Sequence, residues 1–168
     1  MAAAAPRDAT LAALVKRLAA QLLGARQRLV TAESCTGGLI AKCLTDLPGS
    51  SEWFERGWVT YSNQAKRQEL GVASGLLKRH GAVSEPVARA MAAGALGAAR
   101  ADVAVAVTGI AGPDGGTADK PVGTVWIAWA WRGPGDPRVE SRRFCFEGNR
   151  NAVRRQTVAA ALKGLLRG

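Results

Sequence analysis

The run Val103-Ala-Val-Ala-Val-Thr108, bounded by Asp102 and Gly109, restricts the architecture most. An uncharged stretch of this length reads as a strand buried in a sheet. Such a strand must be covered, and the rest of the chain offers helices to cover it. Residues 9–23 place Leu11, Leu14, Val15, Leu18 and Leu22 at helical spacing, with an end near Gly24. A short strand over 28–32 is followed by a helix over 34–45, stopped at Asp46-Leu-Pro-Gly49. Residues 50–54 read as a short helical turn and 57–61, β-branched and aromatic, as a strand. Helices are expected over 63–70 with Asn63 as cap, over 74–79, and over 84–100 with Ser84 as cap and Pro86 in the first turn. A glycine-rich loop spans 109–121. Strands over 123–131 and 139–146 flank a turn at 133–137, and 151–166 closes the chain as a helix. Strands alternate with helices first and a hairpin comes late. The fold class is therefore α/β: a single-domain layered sandwich, a mixed sheet with helices on both faces. Residues 9–168 form the domain, and residues 1–8 are expected to be poorly ordered.

Composition excludes more than it identifies. At 168 residues the chain can bury a core without staples. No apolar run is long enough to cross a bilayer, and the N-terminus lacks the basic region of a signal peptide, so a cytoplasmic protein is expected. Cys35, Cys43 and Cys145 have neither an even count nor metal-ligand spacing, so no disulfide framework and no metal site are expected. The net charge of +10 suggests nucleic acid, an anionic small substrate, or only a basic surface. The basic residues are scattered, their clusters are short (Lys78-Arg79, Arg142-Arg143, Arg154-Arg155), and few aromatics accompany them. A dedicated nucleic-acid surface is not expected.

Three segments are richer in chemistry than packing requires. The first, Glu33-Ser-Cys-Thr-Gly-Gly38, lies between a strand and a helix. Ser34 there is either a helix cap or a nucleophile beside unpaired backbone N–H groups. Cys35 is a competing nucleophile, with no histidine near it to activate it. The second, Val59 to Lys66, carries Tyr61 and a lysine near a helix start, where the positive helix end disfavours the charge; buried, that lysine is a neutral base, and otherwise it is a solvated surface lysine beside a half-buried tyrosine. The third, Val107 to Gly116, is a strand running into a glycine-rich turn, whose N–H groups can cradle a phosphate. Each segment leaves the carboxyl end of an expected strand, so the three converge at one edge of a parallel sheet. A serine, a lysine and a tyrosine there suggest acyl transfer without histidine. His80, the sole histidine, lies at a helix end and reads as structural.

The ordered series Ala32-Glu-Ser-Cys-Thr-Gly-Gly38, Leu44-Thr-Asp-Leu-Pro-Gly-Ser50, Val59-Thr-Tyr-Ser-Asn-Gln-Ala-Lys66, His80-Gly-Ala-Val-Ser-Glu85, Ala106-Val-Thr-Gly-Ile-Ala-Gly-Pro113 and Lys120-Pro-Val-Gly-Thr-Val125 resembles the CinA C-terminal domain family. The likeness runs from about residue 9 to the end, with no room for the N-terminal domain of longer CinA proteins. It resembles a stand-alone form. The resemblance implies hydrolysis of the carboxamide of nicotinamide mononucleotide, in pyridine-nucleotide recycling, without a metal or other cofactor. It implies a catalytic serine, tyrosine and lysine, matching Ser34, Tyr61 and Lys66. On this reading the turn at Thr36, Gly37 and Gly38 stabilises the oxyanion. The loop carrying Thr108, Gly109, Ala111 and Gly112 holds the phosphate and ribose with Arg150. Glu33 orients Lys66 or the backbone, and Cys35 borders the substrate. The family also suggests a homodimer, with Trp129, Trp131 or the N-terminal helix as its apolar surface. Two other functions compete: a nucleotide-sensing module that does not hydrolyse, and a nucleic-acid-associated protein.

Overall fold

The computed structural model describes residues 4–168. Its centre is β3 (Val103–Gly109), whose residues alternate valine and alanine. The alternation sorts the two faces of the sheet. Val103, Val105 and Val107 pack with Leu29, Val125, Ile127 and Trp129 beneath α1 (Asp8–Ala25), α2 (Leu39–Thr45) and α6 (Arg150–Arg167). Ala104 and Ala106 face the other way with Ala32, Ala128 and Ala130, against the alanine-rich α5 (Glu85–Ala98). Small residues on both sides let α5 lie close to the strands, and each fully buried Val or Leu contributes about 1.5–3 kcal/mol.

The sheet has five strands in the order β2-β1-β3-β4-β5. β1 (Leu29–Glu33) lies between β2 (Phe54–Val59) and β3, parallel to both. β4 (Thr124–Trp131) and β5 (Arg138–Cys145) continue it antiparallel. From β1 the chain reaches β2 through α2 on one face. From β2 it reaches β3 through α3 (Asn63–Leu70), α4 (Ser74–His80) and α5, with α5 on the opposite face. The crossovers therefore diverge on either side of β1, which opens a crevice at the carboxyl ends of β1, β2 and β3.

The fold agrees with the α/β expectation, and the differences are local. The second helix begins at Leu39 instead of Ser34, because Gly37 and Gly38 adopt positive φ of 60° and 99°. The strand before the lysine helix ends at Val59, so Tyr61 lies beyond it. Ser62, not Asn63, caps α3 through Oγ, which accepts from the Ala65 N–H at 3.0 Å. Ser84 precedes α5, but its hydroxyl donates to the Gly81 carbonyl instead of capping. The first helix runs past Gly24, and Arg26 makes the left-handed turn at its end. Residues 1–3 of the N-terminal stretch lie outside the described residues. Asp8 already opens α1, with Arg155 joined to its carboxylate and to the Pro6 carbonyl. Trp129, offered above as a subunit contact, is buried inside the chain. Its Nε1 donates to the Ala161 carbonyl at 2.9 Å, and a Cβ at Gly164 would clash with its ring.

Candidate functional site

The crevice holds a cavity of about 230 Å³ bordered by Ser34, Cys35, Tyr61, Lys66, Thr108, Gly109, Ala111 and Arg150, together with Ala82 and Val83. Ser34 follows directly on β1. Its N–H donates to the Val107 carbonyl at 3.1 Å, and the neighbouring Thr60 N–H donates to the Glu33 carbonyl at 2.9 Å. The parallel ladder thus fixes the backbone of Ser34 from both sides.

Lys66 comes from α3 and is 1% exposed. Its Nζ lies 3.0 Å from Ser34 Oγ and 2.8 Å from the Thr60 carbonyl oxygen. Burial pushes its pKa below the usual lysine value, partly opposed by the Cys35 side chain. Among the described residues, no carboxylate is bonded to it. A buried amine biased toward neutrality and touching a serine hydroxyl can act as the base that activates it.

Tyr61 is 61% exposed, at the mouth of the cavity. Its hydroxyl oxygen accepts from Arg150 Nη2 at 2.9 Å, while Arg150 Nη1 donates to the Gly112 carbonyl at 2.7 Å. Arg150 therefore braces the tyrosine against the glycine-rich loop. Because the phenol oxygen accepts from Arg150, its proton remains free for another partner. Thr108 borders the cavity, yet its hydroxyl donates to the Ala82 carbonyl at 2.9 Å.

Glu33 faces away from the lysine. It is 1% exposed, and its carboxylate accepts from the Thr36 hydroxyl at 2.6 Å and from the N–H groups of Ile40 and Ala41 at 2.8 and 3.0 Å. It supplies the cap of α2 that Ser34 was a candidate to supply, and it orients backbone, not Lys66. Glu33→Ala leaves those three donors without their acceptor. The expected cost is about 3 kcal/mol or more. Urea unfolding of Glu33→Ala beside Glu33→Gln checks this, with the smaller loss expected for glutamine.

Thr36, Gly37, Gly38 and Gly112 build the turns around the cavity without bordering it. The Gly37 N–H is already spent on the Ser34 carbonyl at 3.0 Å. Among the described residues, the Cys35 and Thr36 N–H groups donate to no protein carbonyl. Cys35 borders the cavity, but burial raises its thiol to about 12, so it stays protonated. His80 ends α4 outside the cavity. The described residues contain no group of three or more His, Cys, Asp or Glu that would hold a metal ion. No described helix is long and apolar enough to cross a membrane. Ala82, Val83 and the Thr60 carbonyl escaped the sequence reading, because alanine, valine and a main-chain oxygen carry no chemical signature in sequence.

Fold and site together define a class: a single-domain α/β protein with a buried lysine on a serine at the carboxyl edge of parallel strands. A family model described as the CinA C-terminal domain matches residues 11–168, and the chain belongs to that family. It is 57% identical over 159 residues to the nicotinamide-nucleotide amidohydrolase PncC of Escherichia coli K12, covering 94% of each chain. The protein of the same name from Pseudomonas putida is 56% identical over 153 residues, covering 91% of this chain and 93% of that one. Among solved structures, the competence/damage inducible protein CihA from Agrobacterium tumefaciens superposes with a TM-score of 0.91 at 44% identity, over 99% of both chains.

Proposed function

We propose that this protein hydrolyses the carboxamide of nicotinamide mononucleotide, giving nicotinate mononucleotide and ammonia in cytoplasmic pyridine-nucleotide recycling. The observation that carries the reading is the 3.0 Å contact between Lys66 Nζ and Ser34 Oγ inside the cavity. The PncC relatives, named for this activity, supply the substrate class.

The steps follow from the geometry. Lys66, as the neutral amine, takes the Ser34 proton while Oγ attacks the amide carbon. The carbonyl oxygen becomes an oxyanion, and the Cys35 N–H, at the cavity edge and donating to no described carbonyl, is the donor assigned to it. The C–N bond then breaks. The departing nitrogen takes a proton from Lys66, with the Tyr61 hydroxyl as hydrogen-bond donor to it, and leaves as ammonia. Water attacks the acyl-serine as Lys66 takes one of its protons, and Lys66 returns that proton to Ser34 Oγ as the ester C–O bond breaks, releasing the acid, which ionises to the carboxylate with loss of its proton to solvent. Lys66 carries the proton in each transfer to and from the reacting atoms, so the scheme calls on no metal. Ammonia release from the mononucleotide, with chelator present, tests the reading in the intact protein beside Ser34→Ala. Binding of the nucleotide without ammonia release would make the protein a sensor.

Arg150 is assigned to the substrate phosphate, reached from its place between Tyr61 and Gly112. Arg150→Ala is expected to raise KM for the mononucleotide about tenfold or more, the worth of a charge-assisted hydrogen bond. The rise should be smaller for the nucleoside lacking the phosphate. An equal rise for both substrates would limit Arg150 to bracing Tyr61 and the loop.

A further inference from the structure

We infer that Arg154, on the second turn of α6, is a positioning residue that aims the backbone N–H beside the nucleophile. The inference rests on the serine mechanism proposed above and extends it to a residue outside the cavity wall.

Arg154 Nη2 donates to the Thr36 carbonyl at 2.7 Å, across 118 positions of sequence. That carbonyl also accepts from the Leu39 N–H at 3.0 Å. A trans peptide is rigid, and its C=O and following N–H point to opposite sides. Fixing the Thr36 carbonyl therefore fixes the Gly37 N–H, which donates to the Ser34 carbonyl at 3.0 Å. Fixing the Ser34 carbonyl in turn fixes the Cys35 N–H on the far side of that peptide. Two peptide planes thus connect the guanidinium to the N–H next to Ser34. Glu33 holds the same turn through the Thr36 hydroxyl at 2.6 Å. The turn is gripped at the Thr36 side chain by one residue and at the Thr36 main chain by the other.

Two further observations separate Arg154 from an ordinary stabilising arginine. Its Nε is buried and has no partner among the described residues, an unfavourable state that buried polar atoms generally avoid. Gly37 sits at φ 60°, and a Cβ there would lie 3.3 Å from Arg154 Nη2, so the glycine leaves the space that the guanidinium occupies.

The test compares Arg154→Ala and Arg154→Lys with the intact protein in two assays. One is ammonia release from the mononucleotide. The other is the rate at which a fluorophosphonate labels Ser34, which needs the oxyanion site but not the substrate. The alanine variant is expected to lose roughly 10–100-fold in kcat, less than the roughly 10²–10³-fold that removing an oxyanion donor outright costs, because the donor is misaimed and not deleted. KM should stay within about twofold, because the contact contributes only in the transition state. Labelling should slow in parallel. Lysine should recover part of the loss, and added guanidinium ion should recover part of it in the alanine variant. Unchanged kcat and labelling, or a rise in KM alone, would overturn the inference. Should the alanine variant fail to fold, the lysine variant must still show the loss in kcat without one in KM. An intact protein that labels at Ser34 but releases no ammonia would refute the proposed substrate, and the labelling rates would still decide the role of Arg154. An intact protein that does neither would overturn both.

Discussion

Ser34→Ala is expected to reduce ammonia release from nicotinamide mononucleotide by about 10³-fold or more, the usual consequence of deleting a nucleophile that works as a unit with its base. The adjacent Cys35 is not expected to take over. Its thiol is buried and pushed up to about 12, so almost no thiolate exists near neutral pH. Lys66 is hydrogen-bonded to the serine hydroxyl, and among the described residues it makes no hydrogen bond to the cysteine sulfur. Cys35→Ala should therefore keep activity within about tenfold of the intact protein, a loss ascribable to repacking the cavity edge. Measuring both variants under one set of conditions separates the assignments. Activity retained in Ser34→Ala and abolished in Cys35→Ala would move the nucleophile to the cysteine. Losses of equal size would point to damage of the turn instead of removal of a reacting group.

Lys66→Met is expected to be about as damaging to kcat, roughly 10³-fold. Methionine has similar length and keeps the burial, but it neither accepts the Ser34 proton nor returns one. The pH dependence follows from the same desolvation. Burial disfavours the charged amine, so the folded pKa is depressed from the ordinary value of 10.5. Activity that needs the neutral amine should rise with pH, and the rise should be centred below that value. The stability consequence has a definite sign. Between the depressed folded value and 10.5 the unfolded chain binds more protons than the folded one. Stability therefore increases with pH across that window. The contribution of Lys66 is fully present above its unfolded pKa and is lost as pH falls through the folded one. Lys66→Met escapes this penalty, so its Tm near neutral pH should equal or exceed that of the intact protein even though activity is gone. A kcat/KM profile centred at or above 10.5 would show a charged lysine in the free enzyme and remove it as the base.

The sequence made some features legible and not others, for physical reasons that particular residues show. Periodicity placed nearly every helix and strand, because the core is built from residues whose spacing states their face, as in Leu11, Leu14, Val15, Leu18 and Leu22 of α1. Boundaries went astray where local chemistry allowed two solutions. Ser34 read as a possible helix cap, and Glu33 as orienting Lys66 or the backbone. The glycines at 37 and 38 delay the helix to Leu39, and that places the Glu33 carboxylate over its first turn. Asn63 read as the cap of α3, and the structure instead uses Ser62, one position earlier, an equally good cap residue.

The sequence alone determined the α/β class, the parallel strands that bring three loops to one edge, and the residues Ser34, Tyr61 and Lys66 as chemistry placed at strand ends. These are local properties: hydrophobic period, turn composition and residue type within a few positions. The tertiary structure alone decided which groups meet. It put Lys66 against Ser34, Arg150 against Tyr61 and Gly112, and Arg154 against Thr36. Separations of 32 to 118 residues lie behind these contacts. Strand order and helix docking set them, and neither is encoded in any single stretch of chain. The burial that shifts Lys66 is a property of the same kind, produced by every element packed around it and by no residue alone.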